Sequence, residues 1–129
     1  MKRWGASATE FAVVAPVFFL MIIGFIEFGR ALMVQQVLVN ASRVGAREAI
    51  TAGGTTSSVT ALVKSYAESI SVPNTNVAVS PEPTTTVAGQ LITVTVSIGY
   101  NDISWLPAPW FLGGKTLSAS STMRKEGLL

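Results

Sequence analysis

The 129-residue chain contains no cysteine and no histidine. That double absence removes disulfides, thiolate nucleophiles and the common zinc ligands together. It assigns no compartment, because envelope proteins can also lack cysteine. Charge is scarce as well: Asp, Glu, Lys and Arg make up 12% of the residues, against about a quarter in an ordinary soluble domain. The net charge of +2 is too small and too scattered for a nucleic-acid partner. Lys2 and Arg3 supply that whole excess, and the remaining charges balance at seven against seven. No Gly-rich phosphate loop, metal-spaced acidic cluster or basic stripe is present. Lys64-Ser65 reads better as a solvated helix face than as an activated dyad. A membrane-tethered hydrolase would have to draw its nucleophile and base from unremarkable Ser, Lys and Asp positions. The expectation is therefore a non-enzyme with no cofactor, no metal, no small-molecule substrate and no nucleic acid.

What the chain does have is apolar length. Hydrophobic residues reach 49%, and FAVVAPVFFLMIIGFI, from Phe11 to Ile26, runs for sixteen residues without a charge. A bilayer core of roughly 30 Å asks for about 20 such residues. Glu10 and Glu27 bracket the run; at about 1.5 Å per residue they stand roughly 26 Å apart on a helix, each near one headgroup boundary. Lys2, Arg3 and Trp4 mark the inner interface. Arg30, three residues after Glu27, shares its helical face and can pair with it or reach outward. The favoured reading is a membrane span at about residues 11–29. Pro16 inside it removes one backbone donor and predicts a kink or local unwinding.

The run is unlike an ordinary secretory signal, whose small-residue cleavage site follows its apolar core. Here the small residues come first, in GASAT, and EFGRALMVQQ follows. Helical character continues through VLVNASRVGAREAI to a stop at Gly53-Gly54. One helix over about residues 6–52 would be on the order of 70 Å long. Its outer half carries Ala41, Gly45 and Ala49 at intervals of four, with Arg43 and Arg47 on another, polar face. Small residues at that spacing let another helix approach closely; the other reading is an amphipathic segment lying on the chain's own domain.

Beyond the stop, TTSSVTALVKSYAESI predicts a second helix. Its apolar face is Val59, Leu62, Val63, Tyr66 and Ile70, its N-cap is Ser57 or Ser58, and Pro73 closes it. NVAVS is long enough for one short strand. LITVTVSIGY alternates Ile92, Val94, Val96, Ile98 and Tyr100 with small polar residues, the pattern of a half-buried strand. KTLSASSTMR alternates too, with Leu117, Ala119 and Met123 on one face. The expected fold is α+β: a long N-terminal membrane-spanning helix, then one further helix packed on a three-stranded antiparallel sheet, with residues 53–129 as a small extracytoplasmic domain. DISWLPAPWFLGG lies between the two longer strands, and its two prolines make it a poor strand. It reads either as an exposed contact patch carrying Trp105, Trp110 and Phe111, or as a loop folded back on the sheet or the long helix.

The stretch Gly5-Ala6-Ser7-Ala8-Thr9-Glu10-Phe11 resembles the processing site of type IV prepilin-like proteins. More narrowly, GASATEFAVVAPVFFLMIIGFIEFGRAL and VLVNASRVGAREA look like the TadE-like family, minor pseudopilins of the tight-adherence (Flp, type IVc) pilus machinery, and TLSASSTMRKE is similar to that family's terminal strand. The resemblance implies that a prepilin peptidase removes residues 1–5 on the cytoplasmic side, cutting between Gly5 and Ala6. It implies that Glu10, next to Phe11, sets register by meeting the new N-terminal amine of a neighbouring subunit. A carboxylate alone in low dielectric is costly, and a hydrogen-bonded cation stabilises it, so a wrong axial step would leave Glu10 unpaired. The other reading of Glu10 is a solvated interfacial residue close to a helix N-terminus, where the dipole favours it. Implied partners are the peptidase, other pilins or pseudopilins and membrane lipid. The implied location is the bacterial inner membrane, crossed once with the N-terminus inside and the C-terminal domain outside, and the cell surface once assembled in a pilus. The alternative is an uncleaved, signal-anchored envelope binding protein.

Overall fold

In a computed structural model, residues 3–106 and 110–127 are described. Met1 and Lys2 of the expected leader, and Pro107 and Pro109 of the aromatic loop, lie outside the described residues. Helix α1 runs Arg3–Ile50, 48 residues and about 72 Å. Helix α2 spans Thr56–Ser69. Strands β1 (Asn76–Ser80), β2 (Leu91–Gly99) and β3 (Thr116–Arg124) form one antiparallel sheet in the order β1-β2-β3. The α+β expectation holds, with β2 and β3 where the alternation placed them and β1 on the short NVAVS stretch.

The core forms where α1, α2 and one face of the sheet meet. Ile92, Val94, Val96 and Ile98 are fully buried, and the alternation ends on the buried Tyr100. Leu117, Ala119 and Met123 of β3 pack against the same cluster. The opposite sheet face is lined with hydroxyls, which pair across strands at Thr93–Thr122 (2.7 Å) and Thr95–Ser120 (2.8 Å).

The outer half of α1 lies on its own domain. Ala41, Gly45 and Ala49 are all buried, and the helix they admit is α2 of the same chain. A Cβ on Gly45 would stand 2.6 Å from Val63 Cγ2, 3.0 Å from Val94 Cγ1 and 3.3 Å from Val59 Cγ1. This close approach turns α2 relative to the face its large residues suggest. Val59, Val63 and Ala67 are buried, whereas Leu62 and Ile70 are exposed. Counting large apolar residues overlooks Ala67, yet a methyl is what fits against a small-residue helix face.

Two local expectations change. The α2 N-cap is Thr55, not Ser57 or Ser58: its hydroxyl accepts from the Ser58 amide, and the Ser58 hydroxyl accepts from the Thr55 amide, each at 3.0 Å. This reciprocal box satisfies two donors, so the helix begins as soon as the chain leaves the Gly pair. At Pro16 the helix is not unwound; α1 is continuous through it. One missing hydrogen bond is a small perturbation in a helix of this length.

The stop after α1 is where the Gly pair predicts it. A Cβ on Gly54 would collide with the Glu48 carbonyl oxygen. The last carbonyls of α1 then find donors in the C-terminal strand's continuation. Lys125 Nζ donates to Ala49 O (3.3 Å) and Thr51 O (2.8 Å), and the Glu126 amide donates to Ile50 O (3.1 Å). A cation there also suits the helix dipole.

Candidate functional site: the bare helix and its latch

Helix α1 changes character at Glu27. Among the described residues, nothing before Glu27 is buried, and its large side chains Phe11, Val13, Phe18, Phe19 and Phe25 are all exposed. The most apolar window of α1 is long enough to cross a membrane, and only 6% of it is buried within the chain. A core helix of a soluble domain would be mostly covered, so the medium for this segment lies outside the protein. From Glu27 onward one face is covered continuously by α2, the sheet and the loop after β2.

At the N-terminal end, Gly5 stands open, with no atom within 4 Å of where a Cβ would be. Thr9 Oγ1 donates to the Gly5 carbonyl at 2.8 Å. Ala6, Glu10 and Phe11 are exposed, and Phe11 is 72% accessible. No hydrogen bond or ion pair reaches the Glu10 carboxylate among the described residues. Trp4, at 88%, is the most exposed large apolar side chain.

Glu27 and Arg30 do not form the pair that their spacing suggests. Glu27 is fully buried, and its carboxylate accepts three consecutive backbone amides of the aromatic loop. Trp110 N–H donates to Oε1, while Phe111 N–H (2.9 Å) and Leu112 N–H (3.0 Å) donate to Oε2. Successive amides turned towards one anion make a small anion-binding concavity, here filled by the protein's own side chain. Arg30 is buried beside it. Its Nε donates to Ile103 O at 2.9 Å, an Nη reaches Ser71 O at 3.4 Å, and the guanidinium lies 4.9 Å from the centre of the Trp105 ring. The two charges face different donors and acceptors, so each finds neutral partners in the loop instead of the other.

A third clamp is supplied by Tyr100, whose hydroxyl donates to the Glu27 carbonyl oxygen at 2.9 Å. Burial pushes its phenol above the ordinary tyrosine range. The sequence signal for Tyr100 was its place at the end of the β2 alternation, which marks burial and says nothing of a bond to Glu27. Together these contacts fold the loop back on α1, the second of the two readings of DISWLPAPWFLGG. The loop's aromatic side chains nevertheless stay accessible: Trp105 and Trp110 are each 63% exposed and Phe111 is 47% exposed. Phe111 Cε2 lies 3.5 Å from where a Gly24 Cβ would be. Arg43 and Arg47 are exposed on the far side of the helix.

The arrangement is thus mechanical: a bare apolar half-helix, a carboxylate near its tip with no side-chain partner among the described residues, and a latch where it enters the folded domain. No curated protein and no solved structure matches the chain. A family model does: residues 5–47, from the open glycine through the latch charges to the second exposed arginine, are similar to the family described as TadE-like protein.

Proposed function

We propose that the chain is a prepilin-like structural subunit, a minor pseudopilin of a tight-adherence (Flp, type IVc) pilus. A prepilin peptidase cleaves it between Gly5 and Ala6, and it assembles through α1 to support pilus biogenesis and adhesion. The observation that carries this reading is the division of α1 at Glu27. One half has its own domain, whereas the other is apolar and uncovered over about 36 Å. That half needs hydrocarbon before assembly and neighbouring helices after it, and one surface composition serves both. It crosses the inner membrane once, N-terminus inside and folded domain outside.

Cleavage removes Lys2 and Arg3 and creates an ammonium at Ala6, one turn from Glu10. The exposure of Glu10, whose carboxylate has no partner among the described residues, favours a partner in another subunit, where the pair would set axial register. The open approach to Gly5 suits a protease that must reach the backbone. The folded outer domain favours the minor role, since the family's major pilus subunits are shorter.

Intact mass of the chain expressed with and without a prepilin peptidase tests this. Loss of Met1 to Gly5 only when the peptidase is present is the expected result. Full-length protein under both conditions would overturn it in favour of a signal-anchored binding protein. Glu10→Ala should leave insertion and cleavage intact and impair co-assembly with partner pilins; undiminished assembly would end the register role.

A further inference from the structure

The apolar run between Glu10 and Glu27 is about four residues short of a bilayer core. The structure makes up the difference. Glu27 is completely covered, so lipid beside the helix would meet no carboxylate there, and the apolar surface of α1 continues through Phe28 and Gly29. The covering group is the aromatic loop, and two of its side chains, Trp110 and Phe111, lie against the apolar run. Trp105 sits at Arg30. Phe111 shares a groove of about 400 Å³ with Val17, Met21, Gly24, Phe25 and Phe28. Trp110 lines a neighbouring groove with Pro16, Phe19, Leu20 and Ile23. These helix residues all precede Glu27, so the Trp110 side chain lies on the span side of the latch.

Backbone outside a helix is excluded from hydrocarbon because its amides have no water to bond. Here the three amides at positions 110–112 are all taken by Glu27. We infer that this loop is a membrane anchor: Trp110 and Phe111 enter the leaflet on the side of the folded domain, and Glu27 permits it by bonding the loop's amides. The occupant of the two grooves is phospholipid, because their walls are continuous with the lipid-facing surface of the span. Trp110 and Phe111 supply the amphipathic and apolar bodies that favour that depth, and the Arg30 guanidinium stacked on Trp105 marks the headgroup level above them. The domain would then rest against the membrane through its loop, with its orientation about the helix axis fixed. This inference rests on the membrane-span part of the proposed function and on nothing else in it.

The test uses the full chain with Trp4→Phe and Trp105→Phe, leaving Trp110 as the sole indole, reconstituted in phosphatidylcholine vesicles. Phospholipids brominated at shallow, middle or deep acyl positions quench an indole at matching depth, and acrylamide quenches one in water. Trp110 should lose most of its emission to shallow and middle bromines and little to acrylamide. Glu27→Gln in the same background should shift quenching from bromolipid towards acrylamide. A Trp110 quenched by acrylamide and not by bromolipid would overturn the anchor while leaving the span intact. A Trp110 protected from both would overturn it too, in favour of a second protein chain in the grooves. Protein that fails to float with the vesicles would overturn the span and the anchor together.

Discussion

Replacing Glu27 by Gln keeps the volume and the side-chain reach but removes the charge and one acceptor. The carboxylate uses Oε1 for the Trp110 amide and Oε2 for those of Phe111 and Leu112. An amide side chain has one oxygen, which can turn to Phe111 and Leu112, and its NH2 then opposes the Trp110 N–H. One charge-assisted bond is lost outright, at about 1.5–3 kcal/mol, and two fall to neutral strength at roughly half their former contribution. The sum is at least about 3 kcal/mol, concentrated in one loop. Opening of that loop should become roughly a hundredfold more frequent, since 1.4 kcal/mol is a factor of about ten. Amide hydrogen exchange on the full chain in detergent micelles or nanodiscs reads this directly. Peptides covering Trp110–Leu112 should exchange about a hundred times faster, while those of β2 keep their protection, because the core around Val94 and Val96 is untouched. A change of less than about threefold at 110–112 would refute the latch, given its estimated strength. An equal acceleration across β2 would refute its local character.

Four further substitutions test the packing, the α2 cap and the Tyr100 bond. Gly45→Val should lower the denaturation midpoint, costing about 2 kcal/mol, because the new side chain must displace the stiff Val59, Val63 and Val94; circular dichroism in denaturant would show it, and an unchanged midpoint would refute the close approach. Thr55→Ala should cost about 1 kcal/mol and Ser57→Ala only a few tenths, by the same measurement, since Thr55 alone caps α2; equal costs would argue against the observed cap. Tyr100→Phe should cost about 1 kcal/mol near neutrality, from the bond to the Glu27 carbonyl. Its alkaline behaviour follows from the raised phenol: the folded state holds the proton more tightly than the unfolded one. That contribution is complete below about pH 10, the unfolded value, and is lost as pH rises through the higher folded value. The variant should therefore show a flatter alkaline limb in a stability–pH profile, and identical limbs would contradict the burial effect.

Much of the fold was legible because its signals are local. Alternation over residues 91–100 defines β2 and its buried face, since side chains on a strand have period two whatever the strand packs against. The Gly pair at 53–54 stops α1 because a Cβ at Gly54 would strike the preceding turn. The GASATEF motif and the apolar run likewise sit within one stretch of helix, and the family match falls on that same stretch. Even the small-residue row at Ala41, Gly45 and Ala49 announced a close helix contact correctly in kind.

Partner choice was not legible. Spacing placed Glu27 and Arg30 on one face and suggested a pair, but proximity on a helix only permits a contact. Each charge had a competitor more than seventy residues away in sequence, three loop amides for Glu27 and the Ile103 carbonyl for Arg30. Those competitors are neutral dipoles of the main chain, which leave no mark in residue type. The same holds for α2: its exposed Leu62 and buried Ala67 follow from the distance to α1, which Gly45 sets across the interface. By itself, then, the sequence determined which segments are helix and strand and which stretch is apolar enough to cross a membrane, because those depend on periodicity and apolar length. Only the tertiary structure decided that the charge closing the apolar run, Glu27, is a latch and not a free carboxylate, because burial and hydrogen-bond partners are properties of the packed whole.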